Sequence, residues 1–154
     1  MYSNELVCNI LEYINSNINE EISIDKLSNL FFFNRTYIMK RFKKELKISI
    51  NEYINSMRIY NSLGLFKDNN YISSIGYKNG FNSLEYFSET FKKVLGVNPN
   101  TYKKYINRDI NIKKEDIEKI LININKLNNI KNDSIKYLNN RKPTTIKTKP
   151  LIFK

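Results

Sequence analysis

Apolar residues recur every three or four positions along almost the whole chain, and this spacing limits the fold more than any other feature. In an α-helix such residues share one face, whereas a β-strand requires strict alternation. Leu6, Ile10 and Ile14 follow the helical rule, and Ile38 and Phe42 follow it further along. We therefore expect an all-α protein, and a chain of 154 residues can bury a core without a metal or a disulfide.

Capping residues predict where the helices begin. Serine or asparagine precedes the apolar stretches, and its side chain can accept a hydrogen bond from a first-turn amide. Two such sites, at Ser49 and at Asn82, carry glutamate three positions later, as in a capping box, and Asn70 is the predicted cap of a shorter helix. A short helix, a turn and a longer helix therefore occur twice. After the first helix, the predicted helices span residues 24–31, 35–45, 50–66, 71–77, 83–95 and 99–106.

Positive charge is concentrated in two places. The formal net charge is +11, and residues 106–154 contribute +7 of it. Residues 35–47, which include one predicted helix, carry six basic side chains and one acidic side chain. Such a field attracts polyanions, but exposed lysines are by default only solvated, so charge alone does not assign a function.

The last fifty residues are predicted to be a partly helical extension. Apolar residues from Ile117 to Leu127 predict an amphipathic helix over about 113–127, which is more apt to pack on the domain than to form a dimer. A shorter helix is predicted around Ile135 and Leu138. After residue 140, two prolines and five basic residues without an acid predict a flexible or extended basic arm. The expected division is a domain over residues 5–105 and a basic extension over residues 106–154.

The composition argues against most enzyme chemistry. The chain has no histidine, the commonest general base at neutral pH, and its carboxylates are scattered over helix faces. Cys8 is the only cysteine, so no disulfide framework can form and we expect a cytoplasmic protein. No stretch approaches the roughly eighteen apolar residues of a membrane span. We expect no enzymatic activity, no cofactor, no metal and no membrane contact.

The two helix-turn-helix units carry related motifs. In the second unit these are a GF turn, YFS, FKK and a closing G-x-x-P-x-x-Y, at residues 80–81, 86–88, 91–93 and 96–102. In the first unit, related motifs recur at residues 37–38, 42–44, 53–54 and 58–59. Together they resemble the DNA-binding domain of the AraC/XylS family of transcriptional regulators over about residues 5–105.

The resemblance implies two helix-turn-helix subdomains joined by a long linker helix, and sequence-specific binding to double-stranded DNA, more often as an activator. Most of the family carries a larger N-terminal sensing domain, so the chain looks like the small, single-domain members. Lys47 stands where the family commonly has glycine, and Glu89 stands where it commonly has a basic residue. The second substitution weakens the expected DNA contact of the second unit.

The third predicted helix, residues 35–45, is the first candidate recognition helix. Such a helix enters the major groove, with its N-terminal residues at base edges and nearby cations at phosphates. Since Ile38 and Phe42 point inward, the residues expected to face outward are Arg35, Thr36, Met39, Lys40 and Lys43. The predicted guanine donors are Arg35 and Lys40, the predicted thymine-methyl contacts are Thr36 and Met39, and the predicted phosphate ligands are Lys43 and Lys44.

The sixth predicted helix, residues 83–95, is the second candidate recognition helix. The same construction places five residues on its outward face: Ser83, Glu85, Ser88, Glu89 and Lys92. Two carboxylates near a polyanion cost affinity unless one accepts a hydrogen bond from a cytosine amino group. Glu85 also has a structural interpretation, as the capping partner of Asn82.

These expectations describe a DNA-binding transcriptional regulator whose two recognition helices bind major-groove segments about one turn, ~10 base pairs, apart. One chain could then bind as a monomer or weak dimer, with RNA polymerase as a further partner. Two alternatives remain open. The acidic second helix and the apolar stripe of the extension suit a protein-interaction module that antagonises or partners another regulator. The basic extension suits a nucleic-acid binder without sequence preference.

Overall fold

Eight α-helices and one 3-10 helix make up the part of the chain that the computed structural model describes, residues 3–141, and this part contains no strand. The predicted all-α class is confirmed. The predicted basic arm lies outside the described residues, except for Arg141. In chain order the elements are α1 (Ser3–Ser16), α2 (Ile24–Phe31), α3 (Arg35–Leu46), α4 (Ile50–Ser62), the 3-10 helix (Leu63–Lys67), α5 (Ile72–Lys78), α6 (Leu84–Leu95), α7 (Pro99–Ile106) and α8 (Lys114–Asn139).

The first helix-turn-helix unit consists of α2 and α3, packed against α1. Ser23 and Asn34 cap the two helices as predicted, by accepting hydrogen bonds from the amides of Lys26 and Tyr37. Phe32 ends α2 in a left-handed conformation, with φ of 59°. The unit surrounds a first core of buried side chains from α1, α2, α3 and the N-terminal part of α4.

The second helix-turn-helix unit consists of α5 and α6, with α7 packed beside it. Its core is rich in aromatic rings, among which Phe66, Phe91 and Tyr102 are mutually in contact. Gly76 lets α5 approach α6 closely, because a Cβ at this position would lie 2.8 Å from the Phe87 ring. The small residue of α5 is therefore a packing requirement of this unit.

The linker helix α4 contributes to both cores. Ile54 and Met57 belong to the first core and Ile59 to the second. Between these positions, the buried Arg58 donates from Nε to the Ile18 carbonyl at 2.8 Å and from Nη2 to the Glu20 carbonyl at 2.6 Å. Its guanidinium also lies 5.9 Å from the centre of the Phe81 ring.

Arg58 thus joins the two units. The carbonyls it binds lie between α1 and α2, whereas Phe81 belongs to the second unit. Burial lowers the pKa of Arg58 below its ordinary value, because removing the cation from water costs free energy. Two charge-assisted hydrogen bonds to the α1–α2 loop offset that cost, and the Phe81 ring of the second unit adds a weaker contact.

Some helix boundaries differ from the predictions. The long linker helix is α-helical only to Ser62 and continues as the 3-10 helix. Asn70 does not cap α5: its amide donates to the Leu65 carbonyl at 3.2 Å, and Tyr71 occupies the N-cap without a side-chain hydrogen bond. Sequence favours asparagine as a cap, but here its side chain satisfies the end of the preceding helix instead.

The C-terminal extension forms one continuous helix, α8, instead of the two predicted helices. Ile120 and Leu127 are buried in the second core, and Tyr137 and Leu138 pack against the first. The asparagine-rich middle has low helix propensity, and packing along its whole length overrides it. The predicted packing of the apolar stripe on the domain is confirmed, although Leu121 on that stripe is 53% exposed.

We expect Arg58→Met to lower the free energy of unfolding by about 1–3 kcal/mol, because the carbonyls of Ile18 and Glu20 would lose a charged hydrogen-bond donor. Urea denaturation followed by circular dichroism measures this. Lys104→Met, which alters an exposed cation on α7, should change stability by no more than about 0.5 kcal/mol. Equal stability of the Arg58 variant and the parent would contradict the bridging role.

Candidate nucleic-acid interface

The first candidate recognition helix, α3, exposes the residues of its outward side to solvent. Its N-cap, Asn34, accepts the Tyr37 amide at 2.8 Å, and Ile38 and Phe42 are fully buried. This anchoring fixes which side of α3 faces solvent. All six predicted residues of the first unit are exposed on that side: Arg35, Thr36, Met39, Lys40, Lys43 and Lys44.

Arg35 is engaged within the unit. Its Nε lies 3.1 Å from Oδ1 of Asp25 in α2, and the two side chains are 60% and 71% exposed. An ion pair this exposed is worth at most about 1 kcal/mol. A guanine edge or a phosphate can therefore replace Asp25 as the partner of Arg35 at small cost.

A groove of about 480 Å³ separates the outward face of α3 from the start of α4. One wall carries three lysines and a methionine from α3, and the other carries the first turn of α4. Ammonium groups near first-turn amides attract anions. The lysines supply positive charge at this groove, whereas Glu52 places a carboxylate in the first turn of α4. Its lining includes Met39, Lys40, Lys43, Lys44, Ser49 and Asn51.

The second candidate recognition helix, α6, begins at a different cap from the predicted one. Ser83 is the N-cap, and its hydroxyl accepts the Tyr86 amide at 3.1 Å. The capping box predicted between Asn82 and Glu85 is wrong, because a box built on Ser83 would need glutamate where the chain has Tyr86. Glu85 is therefore not held by the cap.

The outward face of α6 is acidic near its start. Glu85, Glu89 and Lys92 are exposed, as is the cap Ser83, whereas Ser88 is half-buried. Within residues 3–141, no hydrogen bond or ion pair engages the carboxylate of Glu85 or Glu89. Both carboxylates are accordingly available to a partner outside the fold.

Helices α3 and α6 are structural equivalents with different surface chemistry. Counted from their caps, Lys40 of α3 and Glu89 of α6 occupy the same position, and Thr36 corresponds to Glu85. Inward positions match closely, since Phe42 and Phe91 are both fully buried. The repeat therefore preserves the fold while reversing the charge of one outward position.

Sequence analysis missed two residues of this surface. Leu84 opens α6 and is 44% exposed, at the position that Arg35 occupies in α3. Tyr86 is 46% exposed, and its hydroxyl accepts a hydrogen bond from the Asn55 side chain of α4 at 3.2 Å. The signal for Leu84 was its place directly after a cap, but its apolar character suggested an inward side chain.

Two grooves beside the linker helix α4 share one lining residue. Asn51 of α4 lines the groove beside α3 and also a second groove, of about 540 Å³, between α4, α6 and α8. Tyr86, Glu89 and Lys93 line the α6 wall of this second groove. The two grooves are thus adjacent at Asn51.

Among the described residues there is neither a metal-binding cluster nor a membrane-spanning helix. Within residues 3–141, no three acidic or cysteine side chains gather as a metal site would require. None of the helices in this range has both the length and the apolar character needed to cross a bilayer. The exposed faces of α3 and α6 remain the principal candidate site.

Comparison with known proteins identifies related chains. A family model described as a helix-turn-helix domain matches residues 27–105. An uncharacterized HTH-type transcriptional regulator of Bacillus subtilis, YbfP, is 30% identical over 117 residues, which cover 75% of this chain and 39% of the relative. The chain thus spans less than half the length of the curated relatives it matches first.

Two solved structures share the fold. A transcriptional regulator from Chromobacterium violaceum, described as containing an AraC-type DNA-binding domain, has a TM-score of 0.59 at 21% identity over 70% of this chain and 96% of that one. The DNA-binding domain of AdpA, solved with a target DNA, has a TM-score of 0.60 at 17% identity over 68% and 96%. At these identities the likeness concerns the fold alone.

The position of the α6 cap can be tested by a matched pair of variants. Ser83→Ala should lower the free energy of unfolding by about 0.5–2 kcal/mol, because a first-turn amide loses its acceptor. Asn82→Ala should have a much smaller effect. Thermal or urea denaturation compares the two, and a larger loss for Asn82→Ala would place the cap one residue earlier.

Proposed function

Because the chain belongs to the AraC-type helix-turn-helix family, we propose that it is a sequence-specific transcriptional regulator that binds double-stranded DNA through α3 and α6. The observation that carries this proposal is the exposure of the outward residues of α3 and α6, whose neighbouring grooves both include Asn51 of α4. Major-groove segments one turn apart, about 34–36 Å, lie on the same side of a duplex. One chain can therefore contact both segments without a second copy.

The first unit supplies positive charge and donors. Arg35 and Lys40 donate to the O6 and N7 acceptors of guanine, and Thr36 and Met39 contact thymine methyl groups. Lys43 and Lys44 bind phosphate on the groove edge. The exposure of all six side chains on α3 supports these roles.

The second unit contacts base edges that carry hydrogen-bond donors, whereas the first unit contacts edges that carry acceptors. Glu85 and Glu89 accept hydrogen bonds from exocyclic amino groups, as carboxylates do with cytosine N4, and Leu84 contacts a thymine methyl. Ser88 hydrogen-bonds a base edge, and Lys92 and the Ser83 end of the helix approach the backbone. The operator is therefore asymmetric, with guanine acceptors in one segment and amino donors in the other.

The regulatory role we propose is activation, with RNA polymerase as the partner of the bound chain. A monomer suits this role, because the two units make a complete binding surface within one chain. In vitro transcription from a promoter carrying the selected operator tests it, and repression or no effect would contradict activation.

Selection of bound sites from a random duplex library tests the central proposal. A specific regulator should prefer its selected site over random duplex by at least ~10³-fold at ~150 mM salt. Equal affinity for both would instead identify a non-specific nucleic-acid binder. Absence of duplex binding, with a second protein captured through Glu85 and Glu89, would favour the protein-interaction alternative.

On the selected operator, Arg35→Ala and Lys40→Ala should each weaken binding by about 1–3 kcal/mol and relax the preference for guanine. Lys44→Ala should instead weaken binding to all sequences and reduce the salt slope by about 1, because it removes one phosphate contact. Fluorescence anisotropy titrations at several salt concentrations measure both effects. An Arg35→Ala/Lys40→Ala protein that binds as tightly as the parent would contradict the base contacts.

Glu89→Gln should keep the fold and change the base preference of the second segment. The amide removes the negative charge and adds a donor, so affinity for random duplex should rise while discrimination in that segment falls. Repeating the site selection with this variant measures the change. A selected sequence identical to that of the parent would exclude Glu89 from base contact.

A further inference from the structure

The C-terminal helix α8 contacts α1, α3, α4, α6 and α7, although it lies outside the matched helix-turn-helix region, residues 27–105. We infer that α8 is a brace that fixes the distance between the two recognition helices, with Asn123 and Tyr137 as positioning residues. This inference rests on the proposed function and assigns a role to the helical part of the extension.

The N-terminal half of α8 is attached to the end of α6. Asn123 donates from Nδ2 to the carbonyl of Leu95, the last residue of α6, at 2.9 Å. Glycine follows in the chain, where its φ of +89° favours it, and a Cβ at Gly96 would lie 2.9 Å from the same Nδ2. The buried Ile120 and Leu127 hold this half of α8 in the second core.

The C-terminal half of α8 is attached to the end of α3. Tyr137 donates from its hydroxyl to Oε1 of Glu45 at 3.0 Å, and Glu45 also pairs with Arg41 at 3.3 Å. Burial and the neighbouring Glu45 raise the pKa of Tyr137 above its ordinary value, so the hydroxyl stays a donor. Beyond it, Arg141 forms an ion pair with Glu12 of α1 at 2.8 Å.

The segment between these two attachments is rigid. Fourteen helical positions separate Asn123 from Tyr137, a rise of about 21 Å. The middle of the segment is held against the linker helix, where the Lys131 ammonium lies 5.0 Å from the centre of the Tyr60 ring. A continuous helix that is fixed at both ends and at its centre holds the C-terminal ends of α3 and α6 at one separation.

A fixed separation has a measurable consequence on DNA. Inserting one base pair between the two operator segments moves one of them by about 3.4 Å and rotates it by about 35° relative to the other. A braced protein cannot follow this change, whereas a protein whose recognition helices can shift accommodates part of it. The brace should therefore make binding sensitive to operator spacing.

The test compares the intact chain with the variant Asn123→Ala/Tyr137→Phe on the selected operator and on operators with one base pair added or removed. Both substitutions keep the apolar packing of α8 and remove its hydrogen bonds to Leu95 and Glu45, while the Arg141–Glu12 ion pair remains. Asn125→Ala, on an exposed position of the same helix, is the matched control. Removing α8 altogether would expose both cores, so truncation is not a suitable comparison.

The parent and the control should each lose at least ~10-fold affinity when the spacing changes, a difference of about 1.4 kcal/mol. The double variant should lose less than about 3-fold on the same operators, since its recognition helices can adjust. Circular dichroism melts establish that it is folded at the assay temperature. If it is not, the single variants, each with one attachment intact, provide the same comparison.

An unchanged spacing profile in a folded variant would overturn the brace, because a purely stabilising α8 alters melting temperature and not spacing tolerance. A parent protein with no preference for its selected site over random duplex would overturn the proposed function and this inference with it. The two failures are distinguishable, since the first appears only in the variant and the second already appears in the parent.

Discussion

The buried guanidinium of Arg58 is the contact on which the relative position of the two units depends. A cation enclosed between α4 and the α1–α2 loop must be hydrogen-bonded, and the carbonyls of Ile18 and Glu20 provide both acceptors. The second unit also packs closely against the Arg58 guanidinium. Gly80 has a φ of +89°, and a Cβ there would lie 2.9 Å from Arg58 Nε.

Helix α8 provides a second connection between the two units, at a distance from Arg58. Arg58 joins the units through the linker helix, whereas α8 joins the far ends of α3 and α6 through Leu95 and Glu45. Two connections at separate points restrict rotation as well as separation. In the described residues, the two cores are therefore connected both through α4 and through α8.

The repeat separates the requirements of folding from those of recognition. Inward positions of α3 and α6 are alike, since buried aromatic residues such as Phe42 and Phe91 must fill equivalent spaces. Outward positions are free to differ, and Lys40 and Glu89 differ in sign. The same scaffold therefore presents a basic side chain at one outward position of α3 and an acidic one at the equivalent position of α6.

Much of this protein follows from local sequence. Apolar spacing and caps such as Asn34 and Ser49 determined the helices, the two helix-turn-helix units and the outward face of α3, because helix formation depends on residues within a few positions of one another. For α6 the sequence predicted Asn82 as the cap, whereas the structure has Ser83 in that place.

Tertiary structure alone decided the continuity of α8, the ion pair of Arg35 and the placement of Asn123 and Tyr137. The last two bind partners 28 and 92 positions away in the chain. No periodic pattern encodes which distant carbonyl or carboxylate a side chain will meet, because that depends on how completed helices pack.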